Sequence, residues 1–98
     1  MNINIKFFID KTEALGRIKK LIPELKEEYK GQISDITEKW NGDNADFGFK
    51  IMGFSINGIF NISDDNLNIS AKLPFAALPF KGTIEKLIRE KSNELLKA

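Results

Sequence analysis

Residues 2 to 9 alternate, with Ile3, Ile5, Phe7 and Ile9 on one side and Asn2, Asn4 and Lys6 on the other, Phe8 being the exception. That period of two predicts a half-buried strand. The period then changes, because Leu15, Ile18, Ile22, Leu25 and Tyr29 recur at intervals of three and four, the stripe of an amphipathic helix. Asp10 stands at the N-cap position with Glu13 three residues on, the reciprocal capping arrangement, and Gly31 is placed to end the helix. Pro23 interrupts it. Without an N–H to bond the carbonyl of Lys19, Pro23 predicts a kink, or a break with proline at the first position of a new turn.

From Gly31 to Leu73 the alternation returns and predicts four strands in a meander, with the turns setting the register. A turn at Asn41-Gly42 places Trp40 opposite Asp43 and Ile36 opposite Phe47. A turn at Met52-Gly53 pairs Ile51 with Phe54, Phe49 with Ile56, Phe47 with Gly58 and Ala45 with Phe60, although methionine tolerates positive φ poorly and a longer or bulged turn is an alternative. The polar run Ser63-Asp64-Asp65-Asn66 then brings Ile62 to Leu67, Phe60 to Ile69 and Gly58 to Ala71.

This register gathers Phe47, Phe49, Ile51, Phe54, Ile56, Phe60, Ile62, Leu67, Ile69 and Leu73 on one face. The other face carries Lys50, Asn57, Asn61, Asn68, Ser70 and Lys72 and is expected to be wet. Gly58 and Ala71 lie side by side beneath Phe47, where small residues permit a close approach or leave a hollow. After the apolar, proline-punctuated connector Leu73 to Phe80, a second helix is expected, with Pro79 in its first turn and a stripe of Phe80, Ile84, Leu87, Ile88, Leu95 and Leu96 passing through Ser92. Glu85 with Arg89 and Lys86 with Glu90 support its outer side. The whole reads as one α+β domain over residues 1 to 98, β-α-β-β-β-β-α, a curved antiparallel five-stranded sheet with two helices on one face.

Composition narrows the chemistry. With 42% hydrophobic and 30% charged residues over 98 positions, the chain has the makeup of a folded domain rather than a disordered one. It contains no histidine and no cysteine, which removes the commonest general base, thiolate nucleophiles and the usual zinc ligands. Only carboxylate pairs remain for catalysis, and Glu38, Asp43, Asp46, Asp64 and Asp65 all fall in or beside turns, where such residues serve local hydrogen bonding. We expect no enzyme activity, no cofactor and no metal site. Asn41 to Asp46 lacks the ligand spacing of a calcium loop, and no phosphate-binding glycine pattern occurs.

A net charge of +1 argues against nucleic acid, since Arg17, Lys19 and Lys20 are followed by Glu24, Glu27 and Glu28. The opening residues have neither a basic segment nor an apolar leader, no apolar run approaches membrane-spanning length, and the chain reads as cytoplasmic.

The element order resembles the TATA-binding-protein-like topology, which is also the core of helix-grip folds. The sequence itself resembles the polyhydroxyalkanoic acid system protein family through the helix Glu13 to Tyr29, Trp40-Asn41-Gly42-Asp43, Ser55-Ile56-Asn57-Gly58, and Leu73-Pro74-Phe75 leading into Pro79-Phe80-Lys81-Gly82-Thr83-Ile84-Glu85. The resemblance implies a small bacterial protein of unknown activity, encoded near genes for polyhydroxyalkanoate granules, with no catalytic residues to carry over. The candidate site is an apolar pocket or docking surface at Phe47, Phe54, Gly58, Ala71, Phe75 and Leu78. Its partners are then a hydrophobic granule surface, another protein or a small apolar or acyl ligand carried in a pocket, with a nucleic-acid-binding regulator as the third reading. The edge at residues 33 to 39 and the polar face leave a homodimer open.

Overall fold

The computed structural model describes residues 1–98 as β1 (Asn2–Lys6), α1 (Lys11–Ile18), α2 (Leu21–Glu28), β2 (Ile33–Asn41), β3 (Asn44–Ile51), β4 (Phe54–Ile62), β5 (Asn66–Lys72), a 3-10 helix (Phe75–Phe80) and α3 (Lys81–Leu95). The strands form one antiparallel sheet in the order β1-β5-β4-β3-β2, and the helices pack on one face. The α+β architecture and element order are those expected from the pattern of the sequence.

The predicted first helix is two short ones. Asp10 caps α1, its carboxylate accepting from the N–H groups of Thr12 and Glu13 at 3.0 and 3.4 Å, while Glu13 pairs with Arg17 at 3.2 Å. The chain breaks at Lys19-Lys20, and Pro23 is the third residue of α2 rather than its first. There its missing N–H is one that the first turn leaves unbonded in any case. The break lets Ala14 and Ile18 of α1, then Leu21, Ile22 and Leu25 of α2, all face the sheet. Gly31, at φ 82, turns the chain out of α2 toward β2.

Strands β3, β4 and β5 pair as the turns predicted: Ile51 with Phe54, Phe47 with Gly58, Ala45 with Phe60, Gly58 with Ala71 and Ile62 with Leu67. The Met52-Gly53 turn holds two residues, both at positive φ, 52° and 80°, so methionine is accommodated without a bulge. The first hairpin differs. Its turn is Gly42-Asp43, with Gly42 at φ 63, so that Trp40 pairs with Ala45 and Glu38 with Phe47. Glycine thus takes the first central position, as in a type II′ turn. This two-residue shift keeps Trp40 on the helix-covered face and stacks its ring on Phe60, centroids 5.9 Å apart. A bulge at Asp35-Ile36 absorbs the remaining mismatch, with Asp35 at φ 51.

One cluster of 22 buried residues runs from Ile3 to Leu96, so the five strands and the three α-helices share a single core. Within it Phe47 stacks on Phe60 at 4.4 Å and beside Phe49 at 6.1 Å. Lys91 was not foreseen in this interior. Only 4% exposed, it extends from α3 to α2 and meets Glu28 at 2.6 Å and Glu24 at 3.1 Å, with Glu94 of its own helix at 3.7 Å. Its hydrogen bond to Glu28, opposed by desolvation and reinforced by Glu24, holds the ammonium well above the usual lysine range. Arg17 adds a second tie by donating to the carbonyls of Leu95 and Lys97 at 3.2 and 2.6 Å, where α3 leaves its last carbonyls unbonded.

Candidate docking surface

The six candidate residues fall into three settings. Phe47, Gly58 and Ala71 are neighbours in the sheet, and of the two alternatives at Gly58 the close approach holds: a Cβ there would meet the Phe47 ring at 2.7 Å, the Ser70 carbonyl at 2.3 Å and the Ala71 backbone at 2.9 Å. Phe47 is 4% exposed, so this centre is packed core. Phe54 is separate from that stack. At the near end of β4, it lies 5.6 Å from Phe80 with the rings tilted by 36°.

Phe75 and Leu78 lie in the 3-10 helix, which the connector forms because Pro74 enters it at φ −62 and its carbonyl accepts from Ala77 at 2.9 Å. Ala77 is completely buried and pins this turn to the body. The neighbouring side chains are consequently turned outward, Phe75 at 87% exposure, Leu78 at 47% and Phe80 at 42%. Met52 is also exposed, in the hairpin turn preceding Phe54. Beside it, Tyr29, Ile51, Met52 and Leu87 line an open groove of about 280 Å³ rimmed by Lys86 and Glu90. Sequence reasoning named Phe75 and Leu78, within the apolar connector that ends at Phe80, but missed Met52 and the groove. The apolar connector was the usable signal; the approach of Tyr29 to Leu87 has none.

The opposite end of the sheet is polar. Lys11 joins Asp43 at 2.6 Å and approaches Asp64 at 3.9 Å, and Asp43 raises its pKa by hydrogen bonding. The acidic residues considered for catalysis therefore include two that tie a helix start to sheet turns. Glu38 accepts from the Trp40 indole at 2.9 Å, and no cluster of acidic side chains is arranged to hold a metal ion. No helix is long and apolar enough to cross a membrane.

These features define an open-faced α+β domain with a packed core and an apolar end. Residues 2–96 match the family described as "Putative polyhydroxyalkanoic acid system protein", and the chain belongs to that family. The description names no catalytic activity. No curated protein and no solved structure matches the chain.

Proposed function

We propose that the protein is a non-catalytic accessory protein that docks by its apolar end on a hydrophobic surface, with the polyester granule of its family setting as the surface in question. The observation that carries this reading is the outward display of Phe75, Leu78 and Phe80 from a turn anchored by buried Ala77. Apolar side chains held out by a fixed backbone lose little further freedom on docking, and each offers area that water leaves at roughly 25 cal/mol per Å². The packing supports a surface over an internal carrier pocket, because Phe47 fills the room above Gly58. The groove of about 280 Å³ is open and falls just below the size range of roughly 300 to 1,000 Å³ usual for ligand pockets.

Co-sedimentation with polyhydroxyalkanoate particles tests the reading. Wild type is expected to partition onto the particles, and the double variant Phe75→Ser with Leu78→Ser to remain in solution. Phe8, 80% exposed at the other end of the sheet, supplies the control: Phe8→Ser should bind as wild type does. Equal partitioning of wild type and the double variant would refute docking through this end.

A further inference from the structure

The sheet has two unpaired edges, and they are unlike. β2 is guarded by the bulge at Asp35-Ile36 and by Glu38, which stands on the helix-covered face of an edge strand, both devices that discourage pairing with another chain. β1 has neither, and its register against β5 is regular from Asn2 to Lys6.

Which backbone groups β1 leaves free follows from its ladder. The Ala71 N–H donates to the Met1 carbonyl at 2.9 Å, the Met1 amine donates to the Ala71 carbonyl at 3.0 Å, and the Phe7 N–H donates to the Asp65 carbonyl at 2.9 Å. Bonded pairs alternate along an antiparallel ladder, so Met1, Ile3, Ile5 and Phe7 are committed to β5. The N–H and C=O groups of Asn2, Asn4 and Lys6 point out of the sheet, and all three residues are exposed.

These groups are self-complementary. Placed against a second copy about a two-fold axis through Asn4, this residue would exchange bonds with its own counterpart, and Asn2 and Lys6 would exchange with the counterparts of Lys6 and Asn2, roughly six backbone hydrogen bonds in all. No like-charged side chains stand directly opposite one another, since Lys6 faces Asn2. On the open face, Asn4, Asn68, Asn61, Asn44 and Asn41 stand in register across the sheet, one from each strand. Asn4 donates to Asn68 and Asn61 donates to Asn44 through their side-chain amides. Asn4 keeps its own amide oxygen and a second N–H for the edge, a combination that pairs with itself. Asparagine is depleted in strands, so strand propensity does not account for this row.

We propose that β1 is a homodimerisation edge, pairing antiparallel about Asn4 with a second copy of the chain so that the sheet and its asparagine row continue across both subunits. A two-fold perpendicular to the sheet keeps the helices of both copies on one side. The inference is independent of docking through the apolar end, since self-association and particle binding are read in separate experiments.

Sedimentation equilibrium on the whole chain, at concentrations up to about 1 mM, decides it. The wild-type mass is expected to rise from 11.1 kDa toward twice that value. Asn4→Pro removes an N–H that faces outward and so spares the native ladder. Together with Asn4→Lys, which opposes two cations at the axis, it should weaken association at least about tenfold with an unchanged circular dichroism spectrum. If Asn4→Pro loses the native spectrum, Asn4→Lys decides. Because the chain has no cysteine, Asn4→Cys carries a single thiol and should give a covalent dimer on oxidation, the paired Cα atoms lying about 5.5 Å apart. A wild type that stays at 11.1 kDa throughout, or a dimer that survives both Asn4→Pro and Asn4→Lys, overturns the proposal.

Discussion

Two aromatic groups in this molecule share a residue type and almost nothing else. The stack of Trp40, Phe60, Phe47 and Phe49 lies on the helix-covered face of the sheet, in contact with its backbone through Gly58. Phe75 and Phe80 project from a short turn into solvent, with Phe54 as their partly buried neighbour. The difference shows that hydrophobicity alone does not assign a role. The first group excludes water because strands align it, whereas the second remains wet because the one side chain that anchors its turn is Ala77. The first should carry stability and the second binding.

Substitutions sharpen that division. Phe47→Ala removes a ring buried between Phe60 and Gly58 and should cost about 4 kcal/mol, read from urea unfolding. Gly58→Ala should cost about 3 kcal/mol, and trimming Phe47 to leucine in the same chain should not restore it. The reason is that the closest atom to the new Cβ is the Ser70 carbonyl oxygen, which belongs to the backbone. Full rescue by Phe47→Leu would locate the conflict in the ring instead.

Lys91 tests whether the helices hold the core face independently of the aromatic stack. Lys91→Ala deletes the tie to Glu28 and Glu24 and should cost about 2 kcal/mol at neutral pH. Since folding raises this lysine above its ordinary 10.5, the folded state holds the proton more tightly than the unfolded chain. The stabilisation is therefore fully present below pH 10.5 and is lost as pH rises from there through the folded value. Urea unfolding of wild type and Lys91→Ala at a series of pH values should show a constant gap up to about pH 10 that narrows above it. A gap that changed near neutrality would point to another group. At the small end of the scale, Phe75→Ser with Leu78→Ser should shift unfolding by less than about 0.5 kcal/mol while abolishing partition onto particles. A large stability loss in that variant would make the exposed group part of the core and dissolve the comparison.

Much of this division was legible in the chain. Ile51 with Phe54, Phe47 with Gly58 and Gly58 with Ala71 follow from two tight turns, because a turn of fixed length sets the register of the strands it joins. The N-cap at Asp10 and the pairs Glu85 with Arg89 and Lys86 with Glu90 are equally local, the pairs lying at 3.2 and 3.9 Å on α3. For the candidate site, the apolar connector singles out Phe75 and Leu78, but the side-by-side placement of Gly58 and Ala71 allows either a close approach or a hollow, and the fit of the Phe47 ring makes it a close approach.

Local pattern was enough for the five strands, the order of strands and helices, the register of β4 with β3 and β5, and the absence of histidine and cysteine chemistry, since these depend on residue identity and on φ/ψ preferences a few positions apart. The assembled core was needed to place β1 in the sheet, to slip β2 by two residues so that Trp40 meets Phe60, to set the break of the first helix at Lys19-Lys20 instead of at Pro23, and to bury Lys91 among glutamates of another helix. Each of these is settled by partners distant in sequence. Local preferences left more than one arrangement open, and shared burial in a single core chose among them.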